Sequence, residues 1–131
     1  AVRVSARMKS VVPGRALDDD FGVFAELDNG AIGVVSASQI TIGAENDNGF
    51  RVIGTAGTLR WRHTHFAQLE HYVVDRPVAI YRAGVDYGYI PAPKPFDHPG
   101  IVDGVAVMAF LEASVASARE AGAWVDVPFN G

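Results

Sequence analysis

Residues 51–61 read RVIGTAGTLRW, with two glycines three positions apart between apolar flanks. Two structures can carry such a stretch. One is a loop that cradles a phosphate; the other is a tight turn between two strands. A phosphate loop runs from a strand into a helix, whose first N–H groups and dipole face the anion, and the P-loop form adds a Lys-Ser/Thr pair. Here Gly57 is followed by Thr58-Leu59-Arg60-Trp61, which is strand material, and no such pair appears. The spacing predicts a hairpin turn at Gly54–Gly57 and removes the simplest route to a nucleotide binder.

Working outward, the upstream chain is also strand-like. Residues 2–12 alternate, with Val2, Val4, Ala6 and Met8 against Arg3, Ser5, Arg7 and Lys9, before Pro13-Gly14 ends the run. Residues 21–42 read as a second hairpin around Asn29-Gly30, a pair that tolerates the positive φ angles of a type I′ turn. Its second strand is apolar or small on both faces, so it needs cover on both sides. Residues 43–49 are loop-like. Residues 66–74 and 77–83 form a further strand pair about Asp75-Arg76-Pro77, and four prolines mark 84–99 as irregular.

Residues 101–121 predict the one long helix, with Pro99 at its first turn and Gly122 at the C′ position. Val107, Phe110, Leu111, Val115 and Ala118 fall on one side. Ala106, Ala109, Ala113 and Ala116 keep the remainder slim, which suits close approach to a sheet. A last short strand runs Trp124–Val127. The expected fold class is α+β: an open-faced, predominantly antiparallel β-sheet with one long helix packed on one face. One helix covers one side of such a sheet, so the other side calls for another subunit or domain.

The totals bound the function. The chain has 131 residues, 49% hydrophobic and 20% charged, which suits a single domain over residues 1–131 with its own core. A net charge of −4 disfavours a non-specific nucleic-acid binder. With no cysteine, disulfides, thiolate nucleophiles and Cys-ligated metals are excluded. No apolar run is expected to span a membrane and no signal peptide opens the chain, so a cytoplasmic location is expected. The start at Ala1, already in an alternating pattern, suggests a piece of something longer.

Few residues point to chemistry. His63 and His65 would share one face of a strand, but no spacing supplies further ligands, and no metal site is expected. Asp18-Asp19-Asp20 lacks the calcium-loop pattern and predicts a solvated turn. Ser36 and Ser38 lack a nucleophile-elbow context. Arg51, Arg60 and Arg62 lie in strands, where they meet an acidic ligand or sit on a solvated face. Asn46-Asp47 and His98 lie on loops beside the sheet, where polar groups can orient a ligand or simply make turns and caps.

The ordered blocks DDDFGVFAELDNGAIGVVSASQ, ENDNGFRVIGTAGTLRW, HPGIVDGVAVMAFLEA and VPFNG resemble the C-terminal domain of the Gfo/Idh/MocA oxidoreductases, from Asp18 to Gly131. The resemblance implies a sheet domain that completes the substrate site of an NAD- or NADP-dependent enzyme acting on a sugar, inositol or related polyol. It implies an N-terminal Rossmann domain carrying the cofactor, and a homo-oligomer built through the sheet face. The family's Gly-x-Gly-x-x-Gly, Glu-Lys-Pro and Asp-x-x-x-His elements are absent here and would lie before Ala1, so no catalytic or cofactor-binding residue is expected in this stretch. The family's final segment is expected beyond Gly131. The resemblance carries over two substrate-binding residues. Asn46 matches a loop position that faces substrate in relatives. His98 matches a histidine before proline, although Phe96-Asp97 replaces smaller residues and the interval to Gly104 is longer. Glu45 stands near a position often basic in relatives, which leaves the substrate's charge open. The competing reading is a non-enzymatic sheet module for self-association or small-ligand binding.

Overall fold

The alternating opening segment forms β1 (Arg3–Lys9), as its period of two requires. The computed structural model describes residues 1–85 and 99–129. After β1 come β2 (Asp20–Glu26), β3 (Ile32–Ser38), β4 (Gly49–Gly54), β5 (Gly57–Arg62), a short 3₁₀ turn (His63–His65), β6 (Gln68–Tyr72), β7 (Ala79–Arg82), α1 (Ile101–Arg119) and β8 (Val125–Asp126). The strands form two antiparallel four-stranded sheets, ordered β3-β2-β1-β8 and β4-β5-β6-β7. The α+β class with one long helix therefore holds. No strand of one ladder pairs with a strand of the other; residues 39–48 carry no strand and turn through Gly43 (φ 85°) and Glu45 (φ 48°). The chain accordingly has two compact units, one built from residues 1–41 with the segment that contains α1, the other beginning at residue 42.

In the first unit, Val4, Ala6, Val23 and Ala25 point to one side of the sheet and are buried with Ala109, Ala113 and Val127. It is the slim side of α1 that meets the sheet, with Ala109, Ala113, Ser114 and Ser117 all buried. Small side chains let a helix axis approach the strands closely, and two serines are tolerated because both are bonded. Ser114 Oγ donates to the Phe110 carbonyl at 2.8 Å. Ser117 Oγ accepts from the Ala6 N–H at 2.8 Å and donates to the Ala123 carbonyl at 2.5 Å. That bond matters because β8 pairs β1 only at Arg3 and Val4. Past that point the edge of β1 would be open, and the helix side chain closes it.

Apart from Phe110, which packs partly buried against the core, the large apolar residues of α1 are left outside. Val107 is 57% exposed, Met108 55% and Leu111 45%. By length and composition alone α1 could cross a membrane, which corrects the expectation that no segment reaches that length. The same all-round apolarity belongs to a helix buried inside a larger protein. On the sheet side away from the helix Phe24 stands directly opposite Val34, with Ile32 on the same face of β3, and all three are exposed.

Helix and turn ends differ in detail from expectation. Pro99 precedes the helix instead of lying in its first turn; Gly100 is the N-cap, and its N–H donates to the Asp103 carboxylate at 2.7 Å. At the other end Gly122 donates to the Ser117 carbonyl at 2.8 Å. That is a Schellman closure with the glycine one place further on than predicted and Ala121 in the left-handed position at φ 58°. The β2–β3 turn is not type I′. Gly30 alone takes a positive φ (80°), Gly30 N–H bonds to the Leu27 carbonyl, and Leu27 pairs with Ala31. This is a three-residue hairpin loop, in which Asn29 accepts from the Ala31 N–H rather than adopting the left-handed backbone.

The second unit contains the stretch on which the fold turns. Gly54 pairs directly with Gly57 and the turn residues Thr55 and Ala56 lie between, strand on both sides. Gly57 sits at φ 148°, and a Cβ there would overlap the Tyr72 carbonyl oxygen, so only glycine fits. The hairpin expectation is met.

Candidate functional site

The loop that leads into β4 holds the first predicted contact. Asn46 is exposed, at the end of the turn formed by residues 42–46. Its backbone carbonyl accepts from the Asn48 N–H at 2.9 Å, and its side-chain oxygen accepts from the Asn48 amide at 3.0 Å. Asn48 in turn is anchored to the sheet, its carbonyl accepting from the His63 N–H at 2.7 Å. Asn46 is thereby held exposed on a braced loop, where its side-chain amide can donate to a hydroxyl or carbonyl. His98, the other predicted contact, lies outside the described residues.

The remaining candidates resolve differently. His63 and His65 lie in the 3₁₀ turn, not on a strand, so their rings do not share a face, and among the described residues no group of three or more His, Asp or Glu side chains could hold a metal. Asp19 is not solvated. It is 3% exposed, and its carboxylate accepts from the Val11 N–H at 2.7 Å and the Val12 N–H at 3.1 Å, with Arg15 at 3.4 Å. The bond from Val11, joined by that from Val12 and the charge of Arg15, holds its carboxyl below the ordinary range against the opposing cost of burial. Asp19 thus ties down the connection between β1 and β2 and is a structural acid.

The arginines are not simply a solvated face. In the β4-β5-β6 ladder Arg51 stands opposite Arg60, and Arg60 opposite Glu70. Side chains two apart share a face, so Arg51, Arg60, Arg62, Glu70 and Tyr72 all lie on one side. Glu70 accepts from the Tyr72 hydroxyl at 2.6 Å and from Arg62 at 3.2 Å. The Tyr72 bond, then Arg62 and Arg60, lower the Glu70 carboxyl; the same Glu70 bond raises the Tyr72 hydroxyl. Sequence reasoning singled out the arginines and missed Glu70 and Tyr72. The signal was the i, i+2 spacing of both pairs, which acquires meaning only with the register. The opposite face carries Phe50 stacked on Trp61 at 5.8 Å and His71 beside Tyr81 at 6.2 Å. Trp61 is fixed by its ring N–H, bonded to the Phe66 carbonyl at 2.9 Å.

Comparison with known proteins places this geometry. Residues 1–60 match the family model described as the GFO/IDH/MocA C-terminal domain. No curated protein matches the chain. Among solved structures, an oxidoreductase from Sinorhizobium meliloti is 26% identical, with a TM-score of 0.77 over 94% of this chain. An inositol dehydrogenase homolog from Azotobacter vinelandii, complexed with NADH and myo-inositol, is 24% identical, with a TM-score of 0.75 over 95% of this chain. A levoglucosan dehydrogenase in complex with NADH and levoglucosan is 23% identical, with a TM-score of 0.79 over 98% of this chain. The chain spans less than half of their length: 45%, 44% and 45% respectively. The resemblance drawn from the ordered sequence blocks is borne out, by the match of the first 60 residues to the Gfo/Idh/MocA C-terminal domain model and by a likeness of fold over nearly the whole chain.

Proposed function

We propose that this chain is the substrate-binding and oligomerisation domain of an NAD(P)-dependent oxidoreductase acting on a sugar, inositol or related polyol. One observation carries the proposal. The fold coincides over nearly all of this chain with under half of dehydrogenases whose complexes hold NADH together with inositol or levoglucosan. The Gly54–Gly57 turn does not fit a dinucleotide: it joins two strands, and no helix N-terminus follows to receive a pyrophosphate. The cofactor and the proton-transfer residues are therefore assigned to a Rossmann domain elsewhere in the longer protein. This chain's part is to hold the polyol in place for hydride transfer, with Asn46 as one hydrogen-bonding contact and His98 as a second.

Two uncovered surfaces support a chain that works within a larger body. The outer side of α1 presents Val107, Met108, Leu111 and Val115, and the open sheet side presents Phe24, Ile32 and Val34. Soluble proteins seldom leave such side chains uncovered together. The first surface suits the remainder of the longer protein and the second a further copy of the chain. The test is an absorbance assay of the intact protein with NAD or NADP and a panel of polyols that includes myo-inositol and levoglucosan. Substrate-dependent formation of reduced cofactor is expected. No reduction with any polyol or sugar, by protein that binds the cofactor, would refute the proposal.

A further inference from the structure

One face of the second sheet is cationic in a chain whose net charge is −4. Arg51 and Arg60 face one another across β4 and β5, and Arg62 follows on the same side of β5. Like charges directly opposed in a sheet destabilise it unless something lies between or above them. The one carboxylate on these three strands' shared face, Glu70, is already engaged by Arg62 and Tyr72. It offsets one of the three positive charges, acting on Arg60 as well as on Arg62. Arg51 and Arg60 are exposed, Arg60 also hydrogen-bonded to Tyr72, and the Nε–H of Arg62 is buried with no hydrogen-bond partner. A buried donor left unbonded is costly, and guanidinium forks match planar and tetrahedral oxyanions in bidentate fashion.

We propose that Arg51, Arg60 and Arg62 form a binding site for a small oxyanion, a carboxylate or a phosphate, with Glu70 and Tyr72 holding Arg62 in position. The site lies wholly on β4 to β6 and does not depend on the assignment of the polyol substrate. Glu70 makes it selective: it lines the site with one negative charge, so that an anion must engage Arg51 and Arg60 together to be held.

The experiment is calorimetric titration of the intact protein with inorganic phosphate and, separately, with citrate, at constant ionic strength set by chloride. Binding of at least one is expected, and the pair of probes tells a phosphate site from a carboxylate site. The Arg51→Gln/Arg60→Gln variant is expected to weaken it about tenfold or more, the loss of at least one charge-assisted hydrogen bond. Arg76→Gln, in the turn between β6 and β7, should leave it unchanged, and circular dichroism should show all variants folded. The proposal is overturned if neither probe binds, if Arg76→Gln weakens binding as much as the double variant, or if the double variant alters only the sedimentation of the protein. The last outcome would assign the arginines to contact with an acidic protein surface.

Discussion

Ser117→Ala isolates the bond that joins the helix to the sheet. The substitution removes one oxygen and leaves a methyl group of almost the same volume, so no cavity forms. What it leaves is the Ala6 N–H, in a residue 1% exposed, without an acceptor. The Ala123 carbonyl also loses its donor, but Ala123 is exposed and water can replace it. The cost is therefore that of one buried backbone donor, about 1–3 kcal/mol and centrally about 2 kcal/mol. For a chain of this size that lowers the melting temperature by roughly 6–10 °C. Ser114→Ala is the control: it removes only a bond from the helix to its own preceding turn, and the Phe110 carbonyl keeps its place in the helix ladder. Its effect should stay within about 0.5 kcal/mol. Thermal and urea unfolding of both variants decide the matter. A Ser117→Ala shift no larger than that of Ser114→Ala would refute the claim that this side chain closes the β1 edge.

Ala121→Gly should stabilise the protein by about 0.5–1 kcal/mol in urea unfolding, because Ala121 holds a left-handed backbone that glycine adopts without strain. Gly57→Ala should cost about 2 kcal/mol or more, since the new Cβ meets the Tyr72 carbonyl at a strained φ; Gly22→Ala, with open space around it, should change stability by under about 0.5 kcal/mol. Asp19 has a folded-state value below its unfolded one, so its contribution is full above the unfolded carboxylate range and is lost as pH falls through the folded value. Urea midpoints measured from neutral pH into acid should therefore fall more steeply for the wild type than for Asp19→Asn; parallel curves would contradict the assignment.

The sequence was informative wherever local chemistry decides structure. Period-two alternation placed β1, and the absence of a helix after Gly57 identified the hairpin. It was less informative wherever a partner distant in sequence decides. Asp18-Asp19-Asp20 looks uniformly polar, yet Asp19 is buried because the backbone of Val11 and Val12 turns toward it. Asn29-Gly30 carries a hairpin signal, but the Leu27–Ala31 pair sets a three-residue loop in place of a two-residue one. His63 and His65 read as strand until the chain bends into a 3₁₀ turn. The division into two ladders is invisible in a list of strands, because it depends on which edges pair. At the candidate site, Asn46 was singled out from loop chemistry and family likeness, and what the structure adds is its exposed place on the loop before β4. Glu70 and Tyr72 were not, since their meeting with Arg60 and Arg62 depends on the β5–β6 register.

The central proposal is that this chain faces the polyol and not the nucleotide. Amide hydrogen exchange on the intact protein tests it most directly, with cofactor alone and then with cofactor and polyol together. The account predicts that polyol slows exchange in residues 42–49, around Asn46, while cofactor alone leaves the Gly54–Gly57 turn unchanged. Protection of that turn by cofactor alone, with none around Asn46 when polyol is added, would contradict it.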